Sequence, residues 1–180
     1  EEQADGTIQK VLPGVEFSVR FIGRSGEETV HVIAIFDDSD GSKVQHIETI
    51  LKTKRPDICG SYSEESFLAI LREISVDTIL IAHQKNTLSS ATTRKNDANS
   101  LGNDKFLELV YSDYFEAYEF KNRRNEIINK NYLVTSGLEE EIRFVTGTDC
   151  HDWTVYPRED KSDTVAEFPY TYAKCLPTFK

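Results

Sequence analysis

Three of the four histidines fall at or beside segments that read as strands, together with two acids. Glu16 lies within the first such segment, His31 in the second, and His83 ends the third. Asp149 and His151 follow the apolar stretch Ile142 to Thr146 across a turn containing Gly147. Imidazole nitrogen and carboxylate oxygen are the ligand types that suit Zn²⁺, Mn²⁺ and Fe²⁺. In Asp149-x-His151 the spacing of two sends both side chains the same way from an extended chain, so both can reach one cluster of ions. Singly, each element is ordinary. A histidine in an apolar strand is more often a hydrogen-bonded core residue, Glu16 fits a solvated strand face equally well, and His83 fits a simple strand end. Their joint placement on successive strand ends is what points to a metal site. The fourth histidine, His46, falls on a helix and reads as a surface residue.

The elements that must position these groups follow from periodicity. Val11 to Phe21 reads as a strand entered at Pro13-Gly14, with Val15, Phe17 and Val19 on one face. Gly23 to Glu27 reads as a turn. Val30 to Phe36 is a near-continuous apolar run, as expected of a strand buried on both faces. After Asp37-Asp38-Ser39-Asp40-Gly41, Ser42 is placed to cap a helix carrying Val44, Ile47, Ile50 and Leu51. Ser63 is placed to cap a second helix, Glu64 to Ile74, with Phe67, Leu68, Ile70 and Leu71 as its stripe. Thr78 to Ala82 is a third strand. Residues 84–104 form a polar connection long enough to read as a mobile or functional loop. Phe106 to Val110 reads as a short helix, Tyr114 to Phe120 as a strand, Asn122 to Asn131 as a helix, and Ile142 to Thr146 as a strand. A last strand is expected around Tyr170 to Cys175. Strands alternating with helices imply an α/β fold with a largely parallel sheet, open or rolled into a barrel, and reactive residues at the carboxyl ends of strands.

Composition narrows the function classes. The 180 residues read as a single domain, and 38% hydrophobic content with 11% aromatics is enough for a buried core. A net charge of −10 argues against binding nucleic acid by broad charge neutralisation, though it leaves room for a local basic patch or a metal site. Cys59, Cys150 and Cys175 show no paired spacing, so a disulfide framework is not expected and a reducing cytoplasm is. No apolar run approaches the roughly 20 residues that span a bilayer, so a soluble protein with no membrane partner is expected. The absence of methionine and the loop-like opening Glu1 to Gly6 read as a piece of a longer polypeptide.

Four motifs occur in order: Pro-Gly-Val-Glu-Phe-Ser at 13–18, His-Val-Ile-Ala-Ile-Phe at 31–36, Ile-Ala-His at 81–83 and Thr-Gly-Thr-Asp-Cys-His at 146–151. This series resembles the successive motifs of the PHP (polymerase and histidinol phosphatase) family and covers most of the chain. The resemblance implies a distorted (β/α)₇ barrel with two or three divalent ions (Mn, Zn or Fe) at the strand ends. It makes Glu16 a bridging carboxylate, His31 and His83 ligands, and Asp149 with His151 the closing ligand pair. Glu16, Asp149 and His151 then carry the catalysis. Thr148 and Cys150 are mild departures at non-ligand positions. The larger departure is that no His-x-His strand precedes Glu16, so the barrel is expected to be incomplete at its N-terminus and these 180 residues to turn over little by themselves. Tyr172 to Phe179 resembles the end of a PHP module that continues into an SMC- or AAA-like ATPase domain, making such a domain an expected partner. The implied reaction is metal-assisted hydrolysis of a phosphomonoester or phosphodiester, the substrate a phosphorylated small molecule or nucleic acid. Lys85, Arg94 and Lys95 in the polar loop are the candidates for binding its phosphate. The rival readings are a PHP fold that has lost ligands and serves regulation or assembly, and an unrelated α/β protein whose histidines are structural.

Overall fold

A computed structural model of the chain describes residues 11–56, 60–88, 98–138 and 142–147. Its first two strands, Gly14–Gly23 (β1) and Gly26–Phe36 (β2), pair antiparallel through a loop of only Arg24 and Ser25. A two-residue connection permits no other arrangement, because parallel neighbours need a crossover of a dozen residues or more. Gly26 sits at φ +99°, where a Cβ would be strained. The strands that follow are Tyr62–Ser63 (β3), Thr78–His83 (β4), Ala117–Glu119 (β5) and Phe144–Val145 (β6). Among the described residues they form one six-stranded sheet, ordered β3-β1-β2-β4-β5-β6. The pairs β1/β3, β4/β5 and β5/β6 are parallel, so only β2 runs against the other five. The sheet is thus mixed rather than largely parallel, because β2 pairs antiparallel with both of its neighbours, β1 and β4.

Among the described residues four helices complete the mixed α/β fold: Gly41–Thr53 (α1), Glu64–Ile74 (α2), Asn103–Tyr111 (α3) and Arg123–Ser136 (α4). Ser63 caps α2 as expected, accepting from Ser66 N at 3.2 Å. The cap of α1 is Asp40, not Ser42: its carboxylate accepts from Ser42 N at 2.9 Å. The carboxylate reaches two residues ahead, which pulls Ser42 itself into the helix. Asn122 plays the same part for α4, accepting from Asn125 N at 3.0 Å.

The core lies on one face of the sheet. Phe17, Val19, Phe21, Val30, Val32, Ala34, Ala82 and Tyr118 are buried there against Ile47 and Ile50 of α1, Phe67, Ile70 and Ile74 of α2, and Phe106 and Leu109 of α3. Phe17 stands edge-on to both Phe67 (5.2 Å) and Tyr62 (5.4 Å), and Phe106 packs at 4.6 Å on Tyr118. β2 is fully buried on this face alone; His31, Ile33 and Ile35 on its other face are only part-buried. No described helix is long and apolar enough to cross a membrane.

Helix α3 also fastens the hairpin. Glu108 accepts from Arg24 N (3.0 Å), Ser25 N (3.2 Å), the Ser25 hydroxyl (2.5 Å) and the fully buried Lys105 ammonium (3.1 Å). The Ser25 hydroxyl first, and Lys105 next, hold the carboxyl down at about 2. A side chain at Gly23 would run into this carboxylate.

Candidate metal centre

Strand alternation sends every second residue of β1, β2, β4 and β5 to the face away from the core. On that face the register sets Ser18 opposite His31, and His83 opposite Glu119. One step past the Val32–Ala82 pair brings His31 beside His83, with ring centroids 5.4 Å apart and planes at 73°. Glu16 is two residues from Ser18 on the same side of β1, diagonal to His31. A row of four polar groups therefore crosses four strands.

Glu16 stands between the two imidazoles. Its Oε1 lies 3.2 Å from His31 Nδ1, and its Oε2 lies 3.4 Å from His83 Nε2. On the far side of His83, Nε2 is 2.8 Å from Glu119 Oε2, which in turn is 3.5 Å from Lys85 Nζ. Exposure falls along the row: the side chains of Glu16 and His31 are 47% and 30% exposed, those of His83 and Glu119 only 3% and 7%. His83 Nδ1 is buried without a hydrogen-bond partner, so the two carboxylates at Nε2, rather than a group behind the ring, are what face this imidazole.

The ligand atoms of Glu16, His31 and His83 all lie within 4.8 Å of one another, so this group could hold a metal ion. The donor set fits: with bonds of about 2.0–2.2 Å at octahedral to tetrahedral angles, ligand atoms on one ion stand about 2.8–3.6 Å apart. The separations of 3.2, 3.4 and 2.8 Å fall in that range. Each oxygen of Glu16 faces a different histidine, so one carboxylate can serve two ions.

The chain matches no family model. Neither a curated protein nor a solved structure matches it.

Of the residues singled out from sequence, Glu16, His31 and His83 come together, and His46 lies exposed on α1 as expected. Lys85 joins the site, facing Glu119. Asp149, His151, Arg94 and Lys95 lie outside the described residues, as do Thr148, Cys150 and the segment Tyr170 to Cys175. The last described residue before them, Gly147, stands where a Cβ would come 3.6 Å from Glu119 Oε1.

The polar connection after His83 is well anchored at both ends. Gln84 forms a bridge with Ser100, Lys85 N donates to Asn99 O at 2.9 Å, and Asn86 N donates to Ser100 Oγ at 2.7 Å. Leu101 N donates to the buried Gln84 Oε1 (3.1 Å), and Leu88 N to Asn129 Oδ1 of α4 (2.7 Å). Ala98 O accepts from His31 N at 2.7 Å, which ties the returning end of this connection to the site. At the described ends of this stretch the side chains of Gln84 and Ser100 satisfy backbone groups.

Glu119 escaped the sequence reading. Its signal was an acid near the carboxyl end of the expected strand Tyr114 to Phe120, the same criterion that singled out His83.

Proposed function

We propose that this chain is the metal-binding part of a phosphoesterase domain of PHP type, hydrolysing a phosphomonoester or phosphodiester. The observation that carries the reading is Glu16 lying between His31 and His83, one oxygen toward each ring. That arrangement suits a carboxylate shared by two ions. The distorted barrel finds support in the separation of faces, with the core packed between sheet and helices on one side and the site residues on the other. In a closed barrel the second face is the interior.

Divalent cations held there would supply Lewis acidity toward a phosphoryl oxygen and would acidify water. The chain's own part is to hold that geometry. Glu16 and His31 stand toward solvent, where a substrate arrives, while His83 and Glu119 are buried behind them. Asp149 and His151 complete the ligand set in this reading, two and four positions past Gly147 in sequence. Lys85 supplies positive charge beside the site, and Arg94 and Lys95 add phosphate contacts. The cytoplasm, a nucleic-acid or small-molecule phosphate substrate, and an adjoining ATPase domain belong to the same proposal.

One observation favours a second reading, a PHP-fold module serving regulation or assembly: the Lys85 ammonium already balances part of the charge of Glu119. Hydrolysis separates the two. The full-length gene product with Mn²⁺ is expected to cleave bis-p-nitrophenyl phosphate, and Asp149→Ala or His151→Ala to lower that rate at least about 100-fold, since even groups behind metal ligands are worth 10–100-fold. An undiminished rate in both variants would remove the phosphoesterase assignment. A wild-type protein that binds Mn²⁺ but cleaves nothing would favour the module.

A further inference from the structure

We infer that Glu119 is a ligand of the ion on the His83 side of the centre, and that Lys85 competes with that ion for it. The inference rests on the metal reading of Glu16, His31 and His83 and extends the site to a fourth strand.

Three observations carry it. First, Glu119 Oε2 is 2.8 Å from His83 Nε2, a separation that two ligands of one ion share. Second, His83 Nε2 has Glu16 Oε2 at 3.4 Å as well, so carboxylates from β1 and β5 both reach this ring nitrogen of β4. Third, the Glu119 side chain is 7% exposed. A buried carboxylate is costly unless a cation accompanies it. Lys85 Nζ, at 3.5 Å and itself little exposed, provides one such charge.

The two halves of the centre then differ. His31 with Glu16 Oε1 forms a half open to solvent, suited to an ion that exchanges and meets substrate. His83, Glu16 Oε2 and Glu119 form a buried half, suited to an ion held more tightly. The backbone fixes this half on both sides: Gln84 N donates to Glu119 O at 2.8 Å, and Phe120 N to Val145 O at 2.9 Å. Lys85 therefore limits affinity at the buried half, because an incoming ion must displace an ammonium from Glu119.

The test is titration of the full chain with Mn²⁺ and with Co²⁺ by calorimetry, with the visible spectrum of the Co²⁺ form recorded alongside. Glu119→Gln keeps the side-chain shape and is expected to weaken the tighter binding step at least about tenfold. It should also change the Co²⁺ absorption, which reports the ligands and which a merely structural residue would not move. Lys85→Met is expected to tighten the same step, and it tests the idea independently should Glu119→Gln fold poorly. If the wild type binds both metals and these two variants match it in affinity and spectrum, Glu119 is no ligand while the metal reading stands. A wild-type chain that binds neither metal overturns the metal reading, and this inference with it.

Discussion

Glu16→Ala is expected to abolish the stabilisation that divalent metal gives the chain. Ligands that bind only the folded state stabilise it by RT ln(1 + [L]/Kd), about 2.7 kcal/mol at a hundredfold excess over Kd. In a protein of 180 residues that corresponds to a rise in melting temperature of about 5–11 °C. Among the described residues Glu16 is the one whose carboxylate lies beside both imidazoles, so its loss removes a donor from each half of the centre. Its side chain is half exposed, hence alanine opens no cavity and the metal-free melting temperature should move little. Thermal unfolding of both proteins with and without Mn²⁺ or Zn²⁺ checks this. An undiminished metal-dependent rise in the variant would mean that the ions bind elsewhere.

The second large effect concerns the layer beneath the site. Phe67→Ala should cost about 3–5 kcal/mol, the usual range for deleting a buried phenyl ring. Phe67 is fully buried on α2 and meets Phe17 edge-on at 5.2 Å. Phe17 is the β1 residue next to Glu16, and adjacent strand residues point to opposite faces. Packing of Phe17 against Phe67 and Tyr62 therefore fixes the strand that carries Glu16. Urea unfolding monitored by circular dichroism gives the stability, and a loss below about 1 kcal/mol would show that this cluster is not what holds α2 to the sheet.

Which parts of this were legible in the sequence depends on how local their causes are. The hairpin, α2 and its Ser63 cap follow from neighbouring residues: two loop positions between glycines, a hydroxyl three residues ahead of an amide, an apolar stripe at helical spacing. Glu16, His31 and His83 were legible because strand periodicity and residue type sufficed to put them on strands. The reversal of β2 was implicit in the short turn, but its place between β1 and β4 is a long-range pairing that no local pattern encodes. The two-residue strand β3 falls below the length at which alternation can be seen at all, whereas β6 lies within the expected strand Ile142 to Thr146. At the described ends of the polar connection 84–104 the hydrogen-bond partners are equally non-local. Gln84, Ser100 and Asn129 look like solvent-facing residues, yet their partners are backbone groups, and Asn129 lies far along the chain from Leu88. Glu119 needed the parallel register of β4 and β5, which alone brings it opposite His83.

The central claim is that Glu16, His31 and His83 hold divalent metal. Equilibrium dialysis of the purified full chain against Mn²⁺ or Zn²⁺, with the bound ion counted by elemental analysis, tests it most directly. Retention of at least one ion per chain by the wild type, with none retained by the His31→Ala/His83→Ala double variant, is the expected result. Equal retention by the two proteins, or no retention by the wild type, would contradict it.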